Sequence, residues 1–165
     1  MSNDDEFGTG KPYNHMTILR EGSGGQYTGH VGERIFCDLL AANQITYLHR
    51  AGDKEQHDVV VRVGDRNVKI DVKAKKRNVK SSTDHDGHVT FDQKDYDADV
   101  YVFVHVDDSG PEIMGWMSKP KFWDDCRIVD AGEKDGPFVE RAKAGKIKYS
   151  QMRPINELID GLSAA

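Results

Sequence analysis

The sequence is short of nearly everything that marks a secreted, membrane-spanning or nucleic-acid-coating protein. Its only two cysteines, Cys37 and Cys126, lack CxxC spacing, which leaves no disulfide framework and no thiolate zinc site and makes a reduced intracellular protein the simpler reading. No apolar run approaches the length of a membrane span, and the opening MSNDDEFGTG is acidic without a signal-peptide core, so a soluble, cytoplasmic chain with no membrane partner is expected. Excess positive charge is missing too. A net charge of −5 argues against nonspecific coating of nucleic acid, because neutralising phosphates needs a positive surface. At 165 residues there is room for one core, and no internal repeat or second composition regime divides it.

What the chain does have is concentrated between His57 and Lys80, HDVVVRVGDRNVKIDVKAKKRNVK. Val59, Val61, Val63, Val68, Ile70 and Val72 alternate with Asp58, Val60, Arg62, Lys69, Asp71 and Lys73, the period of two expected of strands, with the turn placed at Gly64 to Asn67. Pairing Gly64 with Asn67 sets Asp58 opposite Lys73 and Val60 opposite Asp71. Two carboxylates and a lysine then converge on one side, and a continuous Val/Ile surface on the other can pack against a helix.

Two Asp side chains a few ångströms apart suit a hard divalent cation such as magnesium, and a neighbouring ammonium suits an anionic substrate. Such a site can polarise a phosphodiester, while Lys73 orients the attacking water or offsets transition-state charge; the expected reaction is phosphodiester hydrolysis. A third carboxylate, Glu33, lies in VGERIFCDLLAAN, where Ile35, Phe36, Leu39 and Leu40 form a helical apolar face. Glu33 precedes Phe36 and Cys37 by three to four residues, at the edge of that face, and can point toward the sheet. A lone Asp-x-Lys on a strand is ordinarily a solvated face. The constellation around this one sets it apart.

Glu33 on a first helix, Asp58 on a strand and Asp71-Val72-Lys73 on its hairpin partner resemble the PD-(D/E)XK nuclease superfamily from about Gly32 to Tyr101. The resemblance implies an α/β, restriction-endonuclease-like fold, a central mixed β-sheet flanked by helices in a single domain. It further implies that Asp58, Asp71 and the Val72 carbonyl hold Mg2+ or Mn2+, that Glu33 completes the metal site or acts on the water, and that Lys73 positions the nucleophile. Gln93 and Tyr96 resemble an accessory Gln/Tyr element of some members. In one departure, His57 stands where the family motif has proline. The implied activity is that of a metal-dependent DNA endonuclease, akin to the small nucleases of phage, restriction and junction-processing systems, with RNA also open as substrate. Two copies would cut both strands, so a homodimer is among the expectations. The competing class is a catalytically inactive module of the same fold that binds nucleic acid or a partner protein.

Lys69, Lys75, Lys76, Arg77 and Lys80 cluster about the same strand, a local basic strip suited to contacting a nucleic-acid backbone. Residues 1–27, rich in glycine and polar residues, read as a flexible arm preceding a nuclease-like domain over 28–165. The polar stretch Val79 to Val89 reads as a surface loop. His57, Asp84, His85, Asp86 and His88 invite a zinc site, but without fixed spacing or paired cysteines they read better as solvated loop residues. Val100 to Val106 reads as a strand buried on both faces, with His105 a core or sheet-edge residue, and Glu112 to Met117 as another strand. Ser118 and Pro120 open a short helix. Trp116, Phe122 and Trp123 are assigned to packing rather than base stacking. Gly132 to Gly136 and Gly145 mark loops, Ile147 to Ser150 an edge strand, and Pro154 a last helix ending near Gly161 with Ile155, Leu158 and Ile159 inward.

Overall fold

The computed structural model describes residues 24–49 and 57–164. The expected arm lies outside the described residues up to position 23, and its last four residues form the first turn of a helix. In chain order the elements are α1 (Gly24–Ala42), β1 (Tyr47–His49), β2 (Val59–Val63), β3 (Arg66–Lys76), β4 (Asp86–Thr90), β5 (Val100–Asp107), β6 (Gly110–Ser118), α2 (Lys119–Asp125), β7 (Arg127–Val129), β8 (Lys134–Asp135), β9 (Phe138–Val139), β10 (Ala144–Lys148) and α3 (Ile155–Ser163). Short 3-10 turns cover Phe91–Gln93 and Tyr149–Gln151.

Five strands form a mixed sheet in the order β1-β2-β3-β5-β6. Only the β3–β5 pair is parallel, because a long crossover carrying β4 separates them in the chain. The alternation in β3 and β5 splits the core in two. On one face Val59, Val61, Ile70, Val72, Val102 and Val104 meet Phe36, Cys37 and Leu40 of α1 and Leu158, Ile159 and Leu162 of α3. On the other, Tyr101, Phe103 and Met117 pack against Phe122 of α2 and against Val89 and Ile147 of a second, three-stranded sheet ordered β4-β10-β7. Each large apolar side chain so buried contributes about 1.5–3 kcal/mol relative to exposure.

Gly32 sets how closely α1 lies on β3. A Cβ there would stand 2.8 Å from the Cβ of Ala74, so no larger residue fits without moving the helix, and Glu33 is carried next to the sheet.

Several expectations need correcting. The hairpin turn is tighter than the sequence suggests: Val63 pairs with Arg66 and Arg62 with Asn67, leaving Gly64 and Asp65 as a two-residue loop. Gly64 takes a φ of +63°, the left-handed region such short hairpins demand. Val60 comes opposite Lys69 instead of Asp71, a two-residue slip that keeps each side chain on its face, and the ladder ends at Val59–Ile70, so Asp58 lies just beyond it and is not paired with Lys73. Val79 to Val89 is a loop only as far as His85, since β4 starts at Asp86 and pairs with β10. β10 is no edge strand, because it lies between β4 and β7. Gly145 belongs to β10, where a Cβ would stand 2.8 Å from the Trp123 ring. α3 runs through Gly161 to Ser163, with Leu162 extending its buried face. The short helix does open at Ser118, whose side chain accepts from the Lys121 N–H, with Pro120 in its first turn.

Candidate active site

The site arises from a mismatch in strand length. β2 pairs with β3 only as far as Val59–Ile70, whereas β3 continues to Lys76 on the support of β5 alone. The backbone N–H of Val72 therefore points to the side that β2 has left. Asp58 fills that place. Its N–H donates to the Ile70 carbonyl at 2.9 Å, and its Oδ2 accepts from the Val72 N–H at 2.8 Å. A strand residue directs its N–H and C=O to the same side, so the Val72 carbonyl also faces this gap.

Asp71, 7% exposed, lies beside Asp58 within hydrogen-bonding reach of it. Glu33 reaches Asp58 from α1. Lys73 Nζ is 3.0 Å from Asp71 Oδ2 and also donates to Gln93 Oε1, which the Phe91–Gln93 turn presents. Burial and then the Glu33 charge push the Asp58 carboxyl up to about 7. Burial pushes Asp71 up to about 7 as well, with the Lys73 ammonium opposing the rise and Asp58 adding to it. Two desolvated carboxyls beside a single ammonium form an acid-rich constellation of the kind found at functional sites.

The structure brings together Glu33, Asp58, Asp71, Val72, Lys73 and Gln93. Tyr96 is exposed, with its backbone N–H bonded to the Gln93 carbonyl. The basic residues diverge. Lys69 pairs with Asp97 at 2.6 Å. Arg77 turns inward, donating to the Tyr149 hydroxyl at 2.9 Å and the Asp86 carbonyl at 2.7 Å. Alternation along β3 sends Lys76 to the opposite face from Lys73 and Lys75. Lys75, Lys76 and Lys80 are exposed.

Sequence reasoning missed two imidazoles. His30 Nδ1 and His49 Nε2 lie 3.5 and 3.6 Å from the two oxygens of Glu33. His30 was legible as the i, i+3 helical neighbour of Glu33, but His49 is brought in by the β1–β2 pairing and carries no local signal. His57 is buried, with Nδ1 2.9 Å from the Asp97 carbonyl. The His/Asp loop residues do not converge: His85 stacks on His105, Asp86 pairs with Arg127, and His88 lies near Glu140.

Among the described residues no three His, Cys, Asp or Glu side chains surround a common point as a ready-made cation cage. The donor set nevertheless fits a hard divalent cation. It is all oxygen, with two carboxylates drawn together in a desolvated place and Glu33 behind them. A bound cation would also offset the burial and the neighbouring negative charge that raise both carboxyls.

No protein-family model matches the sequence, and no curated protein matches it. Among solved structures, the bacterial homing endonuclease I-Ssp6803I superposes with a TM-score of 0.51 at 15% identity, the match covering 86% of this chain and 96% of that one. This chain shares the fold of that endonuclease. A second match is Hjc of Archaeoglobus fulgidus, a Holliday junction resolvase from an archaeal hyperthermophile, at 14% identity and a TM-score of 0.46, covering 80% of this chain and 95% of that one. Among the described residues no helix is long and apolar enough to cross a membrane.

Proposed function

We propose that this chain is a divalent-metal-dependent nuclease that hydrolyses phosphodiester bonds internally in DNA. The observation that carries the proposal is the desolvated Asp58–Asp71 pair, held by the open side of β3 and contacted by Lys73. The fold shared with a homing endonuclease supports the reading, as does the chain order Glu33, Asp58, Asp71, Lys73, which resembles that of the PD-(D/E)XK motif.

Asp58, Asp71 and the Val72 carbonyl would hold Mg2+ or Mn2+. Bound there, the cation supplies Lewis-acid polarisation of the phosphate and stabilises the charge of the leaving oxygen. The remaining work falls to the chain's own groups. Lys73, fixed between Asp71 and Gln93, directs its ammonium at the attacking water and offsets negative charge as the phosphorus becomes crowded. Glu33, placed between His30 and His49, receives the water's proton. The Val72 N–H fixes the Asp58 carboxylate and the Ile70 carbonyl fixes the Asp58 backbone, so little reorganisation is needed at the moment of reaction.

The test is cleavage of supercoiled plasmid, linear duplex, single-stranded and branched DNA, and RNA, in Mg2+, Mn2+ or EDTA, with Lys73→Ala alongside. Metal-dependent cutting that disappears in the variant is expected on DNA. Equal cutting by the variant, or none by either protein together with no magnesium or manganese uptake, overturns the proposal and leaves a binding module on a nuclease fold.

A further inference from the structure

A second charged feature lies outside the acidic site. β10 pairs Lys146 with His88 of β4 on one side and with Arg127 of β7 on the other, so these three side chains form one row across the small sheet. At a strand spacing of about 4.8 Å the row spans roughly 10 Å, about three base-pair rises. Lys75 and Lys73 of β3 line one small cavity with His88, which extends the row toward the acidic site.

Arg127 at the end of the row is held by Asp86 of β4 at 2.6 Å, and the rest of the row is covered by acids from one short hairpin. Asp135 at the end of β8 takes Lys146 Nζ at 2.7 Å and Arg127 Nη2 at 3.4 Å, and Glu140 just after β9 takes Lys146 Nζ from the other side and approaches His88. Lys146 is only 12% exposed as a result. The hairpin itself has little hold on the fold. Its two strands are two residues each, their apolar pair Phe138 and Val139 is 70% and 63% exposed, and Gly132 and Gly136 provide left-handed turns around it. The loop is fastened over a cationic row mainly by its carboxylates, in positions where phosphate oxygens would make the same charge-assisted bonds.

We infer that the Lys75–His88–Lys146–Arg127 row is a track for the phosphodiester backbone of the DNA substrate, and that the 131–141 hairpin closes it by presenting Asp135 and Glu140 as phosphate mimics. This rests on the nuclease reading for the identity of the ligand. Substrate phosphates displace the two carboxylates, the hairpin lifts, and the strand is led along the row to Lys73. Closure keeps a chain of net charge −5 from holding nucleic acid nonspecifically while preserving a site for a strand able to compete.

Binding of a fluorescent DNA duplex in EDTA, read by anisotropy across a salt series, tests the inference without cleavage. Asp135→Asn/Glu140→Gln is expected to bind roughly three- to tenfold tighter than wild type at about 50 mM salt, with a slope against log salt steeper by about 0.9 for each additional phosphate neutralised. Adding Lys146→Met to that variant is expected to abolish the improvement. Thermal melts of all three proteins establish that each is folded. Unchanged or weaker binding by the double variant overturns the inference, as does an improvement that survives Lys146→Met. Because binding is read without metal, a chain that binds DNA in this pattern but fails to cut it would refute the nuclease reading and leave the track standing.

Discussion

Asp58→Asn should inactivate the proposed nuclease and, in EDTA, make it more stable. Asp58 has its carboxyl raised from 3.8 to about 7, chiefly by burial. A folded-state pKa above the unfolded value means that the native protein binds the proton more tightly. The contribution of this carboxyl to stability is then greatest at low pH, falls as pH rises from about 4 through 7, and stays at its lowest above that. A rise of that size corresponds to a ceiling of about 4 kcal/mol. Part of it is shared with Glu33 and Asp71, so about 2 kcal/mol is the expected gain from removing one charge. The amide of the Asp58→Asn variant keeps an oxygen for the Val72 N–H, so the backbone contact survives the substitution. For a chain of this size that gain is roughly 4–8 °C in Tm. Melts of both proteins at about pH 7.5 and about pH 4.5 in EDTA, either side of the raised pKa, check it: the variant should melt higher at the upper pH, and the gap should narrow toward the lower one. Added Mg2+ or Mn2+ should raise the Tm of the wild type and not of the variant. A gap that does not change with pH, or a variant less stable throughout, would refute the placement of a desolvated charge at Asp58.

Three other outcomes are expected. Lys73→Met should lower the cleavage rate by about 10²–10⁴-fold with DNA binding largely retained, since the ammonium acts at the reacting phosphate, and single-turnover kinetics beside a binding titration separate the two. Gly32→Ala should cost about 1–3 kcal/mol by forcing α1 off Ala74, and should reduce cleavage even at temperatures where the protein is fully folded, because Glu33 moves with the helix; urea melts paired with rates measured well below Tm check this. Arg77→Met should destabilise by about 1–3 kcal/mol, because the Asp86 carbonyl and the Tyr149 hydroxyl lose their donor, while binding DNA at nearly the wild-type affinity; urea melts and anisotropy test this against the sequence-based view of Arg77 as a backbone contact.

The elements that were legible in the sequence are those dictated by local pattern. Alternation marked β2 and β3, the unbroken apolar run marked β5, the spacing of Phe36 and Leu40 marked the buried face of α1, and Ser118 with Pro120 marked the start of α2. The motif residues could be named because Asp58 and Asp71 keep to one face under any even slip of register, so a turn misjudged by two residues still put them together. Contacts decided by distant packing were hidden. Nothing near Arg77 announces that Tyr149 will draw it inward, and the polar run through His88 hides β4 because that strand exists only through its pairing with β10. His49 is of the same kind, since it reaches Glu33 only once β1 has paired with β2.

The difference in length between β2 and β3 is what joins fold to chemistry here. Were β2 to continue in register, its backbone would take the Val72 N–H, and the Asp58 side chain would be left out of the plane of the sheet, away from that donor. Ending β2 at Val59 instead replaces a neutral ladder bond with a carboxylate and brings that carboxylate against Asp71, an exchange that costs stability in the metal-free protein. The cost is tolerable because β5, buried on both faces, supports β3 through Lys76 without help from β2. The same parallel pairing requires the long crossover that carries β4 and Gln93, so the strand that makes the open side of β3 possible also delivers the partner that holds Lys73 over it.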